Sequence, residues 1–390
     1  MSKKLGGLLL ALVMIVMAFA ACAQTPAPVE PPVDEPGTED SVAPEVSADD
    51  ENVGAGKTVG VAMPTKSLQR WNQDGSNMKK QLEAKGYTVD LQYAEDEVDK
   101  QVEQLENMIT KGVDVLVVAS IDGSALGNVL AEAKEAKIPV IAYDRLIKGT
   151  DAVDYYATFD NYKVGVIQGT YIVETLGLDK GEKGPFTMEV FGGSPDDNNA
   201  FMFNAGAMDT LKPYIESGAL VIKSGQTDME VIAIPGWKAE GAQARMENLL
   251  TAYYADENID VVLSPNDSLA QGISASLKSS GYGTEAKPYP ILTGQDCDVI
   301  NTNMIIDGEQ SMSIFKDTRT LAEKVVEMVT AILEGTEVPV NDEETYDNDV
   351  KVVPSFLCDP VFADKSNYKE LLIDTGYYVE TADGHVEAPK

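Results

Sequence analysis

Polar and charged side chains gather just after short apolar runs in this chain. Lys66, Arg70 and Trp71 follow the run 59–63, and Asp144 and Arg145 follow 139–142. Gly192-Gly193-Ser194-Pro195-Asp196-Asp197-Asn198-Asn199 follows 186–191. Asn266 and Asp267 follow 261–263, Gln295 and Asp296 follow 291–293, and Lys316 follows 311–315. The set mixes donors with acceptors, and Trp71 and Trp237 add flat apolar plates. That mixture suits a pyranose, which carries vicinal hydroxyls on its rim and C–H groups on its faces. Carboxylate, amide and guanidinium groups engage neighbouring hydroxyls, and charge-assisted hydrogen bonds are the stronger kind. An indole packs on the C–H face.

Each residue also has a plainer reading. Asp160, Asn198 and Asp267 precede helical patterns and could be N-caps. Lys66 and Arg70 could be solvated surface charge, Asp144-Arg145 a local ion pair, and the two tryptophans packing residues. Their joint placement at strand ends favours binding over any of these. Other patterns carry less. Gly54-Ala55-Gly56-Lys57-Thr58 looks like the end of a phosphate loop, but it precedes a strand and has Glu51 in place of the first Gly. Asp196-Asp197 are too close in one loop to flank a glycosidic bond readily. No CxxC motif or Cys/His cluster suggests a metal, and no cofactor is expected. Cys297 and Cys358 could pair or stay separate thiols, and the lone His385 sits in the polar C-terminal tail.

The elements that must position these residues alternate. Runs at 59–63, 88–93, 113–119, 139–142 and 155–159 predict strands. Amphipathic segments at 68–85, 98–111 and 125–136 predict the helices between them. Continuous β-branched runs such as Val113-Asp-Val-Leu-Val-Val118 are those of parallel strands buried on both faces. The pattern then restarts, with strands at 186–191, 220–223, 261–263, 291–293 and 311–315. Helices are expected at 204–214, 239–253, 269–280 and 318–333. The expected class is therefore α/β, with two doubly wound parallel-sheet domains. Ligands of such sheets bind beyond the carboxyl ends of the strands, so two facing domains would form a cleft there.

The N-terminus reads as an export signal. Lys3 and Lys4 precede an uncharged apolar stretch, 5–21, which is short for a membrane-spanning helix. Ala20 and Ala21 then precede Cys22, an order that resembles a bacterial lipobox, with Phe19 where Leu is usual. Residues 1–22 are thus expected to be a lipoprotein signal with Cys22 lipidated, placing the mature chain on the outer face of the cell membrane. Ordinary cleavage within 18–23 is the other reading. Residues 23–56 hold six prolines among acidic residues and no Lys, Arg or aromatic residue, the composition of a disordered linker. The whole chain carries 30 basic against 64 acidic residues, a net charge of −34. So acidic a protein repels nucleic acid and anionic headgroups, which excludes nucleic-acid partners.

Several of the same segments resemble a known family. Val61-Ala-Met-Pro-Thr-Lys66 with Arg70-Trp71 is similar to the opening of the multiple-monosaccharide-binding proteins of bacterial ABC importers, whose relatives include D-xylose-binding proteins. Ile141-Ala-Tyr-Asp-Arg-Leu146, Tyr156-Ala-Thr-Phe-Asp-Asn161, the glycine-led loop 191–200, Ala244-Arg-Met-Glu-Asn-Leu-Leu250, Gly294-Gln-Asp296 and Ile314-Phe-Lys-Asp-Thr-Arg319 extend the likeness from about 58 to 378. The resemblance implies the type I periplasmic-binding-protein fold, with three crossings between two lobes. It places 58–159 plus about 317–340 in the first lobe, about 160–316 plus 341–380 in the second, and 381–390 in a tail. Positions Lys66, Arg70, Trp71, Asp144, Arg145, Asp197, Asn199, Asn266, Asp296 and Lys316 would line a sugar site, with Trp237 packing on the ring. The implied partners are a monosaccharide, a permease with its ATPase subunits, the membrane through the lipid anchor, and a chemoreceptor or sensor. The implied chain is a monomer without catalytic residues. The alternative is an exported glycoside hydrolase using carboxylates of the same cleft. A sugar-responsive transcription regulator shares the fold but is opposed by the export signal and the lack of a basic head.

Overall fold

Side chains of the first strands point alternately to two apolar layers. Val59, Val61 and Met63 join one buried cluster with Val115 and Val117, while Ala62 joins the other with Leu116 and Val118. Strands buried on both faces need helices on both, and the chain supplies them. The structure is a computed structural model that describes residues 52–389. The predicted signal, Cys22 and almost all of the predicted linker lie outside the described residues.

The first half runs β1 (Thr58–Met63), α1 (Gln69–Ala84), β2 (Thr88–Tyr93), α2 (Val98–Lys111), β3 (Val115–Val118), α3 (Gly127–Glu135), β4 (Val140–Tyr143) and β5 (Tyr155–Phe159). The second half runs α4 (Asn161–Thr175), β6 (Phe186–Val190), α5 (Asn198–Glu216), β7 (Leu220–Ile222), a one-turn α6 (Met229–Ile232), α7 (Ala239–Tyr253), β8 (Val261–Leu263), α8 (Asp267–Ser279), β9 (Ile291–Leu292), α9 (Val299–Asp307) and β10 (Met312–Phe315). The chain closes with α10 (Thr318–Glu334), β11 (Ser355–Cys358), β12 (Val361–Asp364), β13 (Val379–Glu380) and β14 (Val386–Glu387).

Two parallel sheets organise these elements. The first has strand order β11-β5-β4-β3-β1-β2 and the second β7-β6-β8-β9. Strand β10 pairs antiparallel with β12 and touches the second sheet through the parallel bridge Gln295↔Ile314. The chain crosses between lobes after β5, after β10 and after β11. Helix α10 returns to the first lobe, where Leu321, Val325 and Val329 pack with α1 in the cluster of Val59 and Trp71.

The third crossing corrects the expected boundary at 341. Strand β11 pairs parallel with β5, from Ser355↔Tyr156 to Cys358↔Phe159, and Tyr346 packs edge-on against Tyr156 at 5.0 Å. Residues 341–358 therefore belong to the first lobe, and the crossing falls at Asp359-Pro360. The expected tail is also partly ordered. Its β14 pairs with β13, and Val386 is buried, with its N–H held by Asn303 at 2.8 Å. Cys297 and Cys358 are both free and buried.

Helices α4 and α5 touch without intervening side chains. A Cβ added at Gly165 would stand 2.0 Å from the Phe203 carbonyl oxygen, and one at Gly206 2.1 Å from that of Tyr162. This close approach seats the N-terminus of α5, with Asn199, against the crossing at Asn161, where the Asn161 Nδ2 donates to Asn199 Oδ1 at 2.9 Å. Among the described residues no helix is long and apolar enough to cross a membrane.

Candidate functional site

Ten of the eleven ligand-binding residues expected from the sequence meet around one cavity of about 40 Å³ between the two sheets' carboxyl edges. The first lobe supplies Arg70 and Trp71 from the first turn of α1, and Asp144 and Arg145 from the end of β4. The second supplies Asp197 and Asn199 at the start of α5, Trp237, Asn266 before α8, Asp296 after β9 and Lys316 after β10. Lys66 does not join them. Its side chain is exposed, with Nζ 4.9 Å from the centre of the Tyr93 ring.

Arg70 is the electrostatic centre. It pairs through Nε with Asp74 at 3.0 Å, through Nη1 with Asp296 at 2.9 Å, and through Nη2 with Asp144. Burial opposes its charge, but Asp144, Asp74 and Asp296 hold its pKa well above the usual value. For Asp144, burial is likewise overcome by Arg70, Lys316 and Arg145, and its pKa is lowered. Asp74 is fully buried one helical turn beyond Arg70 and receives the Tyr143 hydroxyl. There burial outweighs Arg70, and its carboxyl is pushed up to about 6. Lys316 is buried with Nζ 3.6 Å from Asp144 and 3.7 Å from Asp296; burial and then Arg70 lower its pKa.

The two lobes are joined through this cluster. The Arg70–Asp296 pair crosses between them, as does Arg145–Asp197, with Nε 3.0 Å from Oδ2. The angle of the latter makes an ion pair but not a hydrogen bond, so the Arg145 Nε–H lacks a hydrogen-bond acceptor. Asn199 Nδ2 donates to the Asp144 carbonyl at 2.8 Å. Several side chains act twice. Asp197 caps α5 by accepting from Asn199 N–H at 3.0 Å, while Asn266 caps α8 by accepting from Leu269 N–H at 3.0 Å. Asn266, rather than the suggested Asp267, is thus the cap, and its Nδ2 stays available to the cavity. Asp160 caps α4 through Lys163 N–H at 2.9 Å.

The tryptophans form two walls. Trp71 lies under both guanidinium groups, at 5.6 Å from Arg70 and 5.2 Å from Arg145. Trp237 is held by Phe203 edge-on at 6.4 Å, by Ser268 Oγ donating to its carbonyl at 2.8 Å, and by Gly193, where a Cβ would stand 1.9 Å from the indole.

Five wall residues were not chosen from the sequence: Leu68, Phe203, Ser268, Gln295 and Asp298. Gln295 adjoins Asp296 at a strand end, and that position was the available signal. The others lie within helical or loop segments that carry no such mark. Buried side-chain atoms without hydrogen-bond partners are concentrated here: Arg145 Nε, Trp237 Nε1, Gln295 Oε1 and Asp298 Oδ1. Buried polar atoms are ordinarily satisfied, so four such atoms on one cavity's lining residues mark a surface built to bond something polar. Among the described residues no group of three or more His, Cys, Asp or Glu is placed to hold a metal ion.

The chain is similar to several known proteins. Residues 59–337 match the periplasmic binding protein domain. The chain is 57% identical over 321 residues to the multiple sugar-binding periplasmic receptor of Rhizobium radiobacter, covering 82% of this chain and 90% of that protein. It is 36% identical over 323 residues to the D-xylose-binding periplasmic protein of Escherichia coli, covering 83% and 91%. An ABC transporter solute-binding protein from Clostridium phytofermentans, solved with bound β-D-glucose, superposes with a TM-score of 0.80 at 59% identity, covering 84% and 99%.

Proposed function

This chain belongs to the periplasmic binding protein family, and from that premise we propose that it captures a monosaccharide outside the cytoplasm and delivers it to an ABC importer. The observation that carries the reading is a buried cavity where side chains from both lobes meet, with unpartnered donors and acceptors on its walls. Arg70, Asp144, Arg145, Asp197, Asn199, Asn266, Asp296 and Lys316 grip ring hydroxyls, while Trp71 and Trp237 cover the C–H faces. A cavity of about 40 Å³ admits only a few water-sized bodies, so a pyranose enters when the lobes part. It then exchanges part of the Arg70–Asp296 and Arg145–Asp197 pairing for hydroxyl contacts. Because the sugar touches both lobes, it favours the closed form, which the permease with its ATPase subunits receives.

Anchoring through a lipid on Cys22, and presentation of the bound sugar to a chemoreceptor or sensor, complete the proposal. The carboxylates facing the cavity serve as ligands here, since Asp144 and Asp296 are tied to Arg70 and Lys316.

The test is a thermal-shift screen against xylose, glucose, galactose, arabinose and ribose, followed by calorimetry. At least one sugar should raise the melting temperature and bind at one site per chain. No shift with any of them would overturn the reading. Oligosaccharides incubated with the chain should release no reducing ends; release would favour hydrolysis. For the anchor, Cys22→Ala should move the protein from the membrane fraction to the soluble one.

A further inference from the structure

Asp298 stands at the N-cap position of α9, where an aspartate side chain ordinarily accepts one of the helix's free N–H groups. Here it makes no such bond. The Val299 N–H goes instead to Gln69 Oε1 from the first lobe at 3.1 Å, and the Thr302 N–H to the Asp298 main-chain carbonyl at 2.7 Å. The carboxyl group is thereby released from capping. Its Oδ1 is buried and has no hydrogen-bond partner, in a residue only 8% exposed. A buried acceptor left unmatched is costly, so a fold that keeps one at a cavity wall points to a donor that arrives from outside.

Asp298 also lines two cavities at once. The inner one is the site described above. The outer one, of about 720 Å³, is bounded by Ser67, Gln69, Lys238, Glu240 and Gln271. Leu68, Trp237, Ser268 and Asp298 belong to both walls, so the two spaces meet along them. The exposed Ser67, Lys238 and Glu240 mark the outer space as the cleft mouth. A ring held by the inner charged groups has its free room on this side.

Resting on the sugar-capture reading, we propose that Asp298 bonds the hydroxyl of an exocyclic hydroxymethyl group at this passage, so that the site selects aldohexoses over aldopentoses. An aldopentose has no such group and leaves the carboxyl oxygen unmatched, whereas an aldohexose satisfies it and fills the passage. Burial and the neighbouring Asp296 push the Asp298 carboxyl up to about 7. Either ionisation state can bond a hydroxyl, the carboxylate as acceptor and the acid as donor.

The test is calorimetry on the full chain with five sugars. D-Xylose is D-glucose without the hydroxymethyl group, and 6-deoxy-D-glucose keeps the carbon but loses the hydroxyl. D-Galactose against L-arabinose repeats the comparison for the C4 epimer. Glucose or galactose should bind at least tenfold tighter than its pentose counterpart, and 6-deoxyglucose should fall within threefold of xylose. Asp298→Ala should narrow the hexose-to-pentose ratio to threefold or less. Asp298→Val, whose side chain can neither donate nor accept, provides the same reading if the alanine variant does not fold. Equal affinity for hexose and pentose in the parent chain would overturn the inference while leaving sugar capture standing. A ratio unchanged by either substitution would overturn it too. If no sugar binds at all, the capture reading fails, and this inference with it.

Discussion

Replacing Arg70 by alanine tests the electrostatic core of the site. Arg70 is 8% exposed at its side chain, and its partners Asp74, Asp144 and Asp296 are 0%, 5% and 12% exposed. Removing it leaves three carboxylates facing Lys316, whose Nζ is beyond hydrogen-bond distance of Asp144 and Asp296. Breaking a buried pair from one side costs about 3–5 kcal/mol, because the surviving charge is stranded. The lower end, about 3 kcal/mol, is expected here, since parting of the lobes can hydrate Asp144 and Asp296, which line the cavity, while Asp74 stays enclosed beside Tyr143. The pH dependence has a definite sign. Asp74 is already raised to about 6 with Arg70 in place, so the variant raises it further. A carboxyl whose folded pKa exceeds its unfolded value binds more protons when folded, so stability falls as pH rises through that range. The deficit should therefore be full at pH 7.5 and smaller at pH 5. Urea unfolding followed by tryptophan fluorescence measures both, and Trp71 beside Arg70 makes the signal local. A deficit under about 1 kcal/mol at pH 7.5, against the 3 expected for a stranded buried charge, would refute the reasoning. So would a deficit that is the same at both pH values. Arg70→Lys should recover only part of the loss, because an ammonium lacks the planar fork that reaches three carboxylates.

Other substitutions separate the remaining contributions. Asp296→Ala should abolish tight sugar binding, because ring hydroxyls lose a charged partner; calorimetry showing unchanged affinity would count against the site. Gly193→Ala puts a Cβ 1.9 Å from the Trp237 indole and should displace that wall, weakening sugar binding about tenfold, the scale of an aromatic contact. Trp237→Ala should weaken it at least as much, and the double variant should lose less than the sum, since both act on one wall. A calorimetric cycle that proves additive would sink that link. Asp197→Ala removes both the α5 cap and the Arg145 pair, and should cost about 1 kcal/mol or more in urea unfolding as well as sugar affinity.

The strands were legible because their chemistry is local. Runs rich in Val and Ile, such as 113–118, appear as β3 with at most two residues trimmed at either end, and α2 and α7 begin and end where their apolar spacing predicts. Helix α4 was legible only at its start, where Asp160 marks an N-cap, and no range followed from its apolar spacing. Its Gly165 and Gly169 lower helix propensity, yet they are there to let α5 approach, a requirement set by a distant segment. Strand β11 was missed for a similar reason: Ser355-Phe-Leu-Cys358 has no β-branched residue and is strand-like only in its pairing with β5. Site residues were legible where they end strands. Ser268 and Phe203 were not, because they support Trp237 from within helices, and nothing in their local sequence marks that contact.

Backbone geometry explains why the strand-end residues can converge at all. Asp144, Trp237 and Asp296 have φ of 58°, 55° and 100°, in the left-handed region that non-glycine residues seldom adopt. Such conformations cost on the order of 1–3 kcal/mol each and persist only where the surroundings hold them. The holding groups are present. Asp144 donates its N–H to Ala157 at 2.7 Å, and its carbonyl accepts from Tyr156, Thr158 and Asn199 at 2.6, 2.9 and 2.8 Å. Asp296 donates its N–H to Ile314 at 2.8 Å. Asn199 comes from the other lobe, so the turn that aims Asp144 at the cavity is completed only when the lobes meet. Closure and ligand alignment are thus one event: the contact that brings the second lobe in also fixes the carboxylate that would meet the sugar.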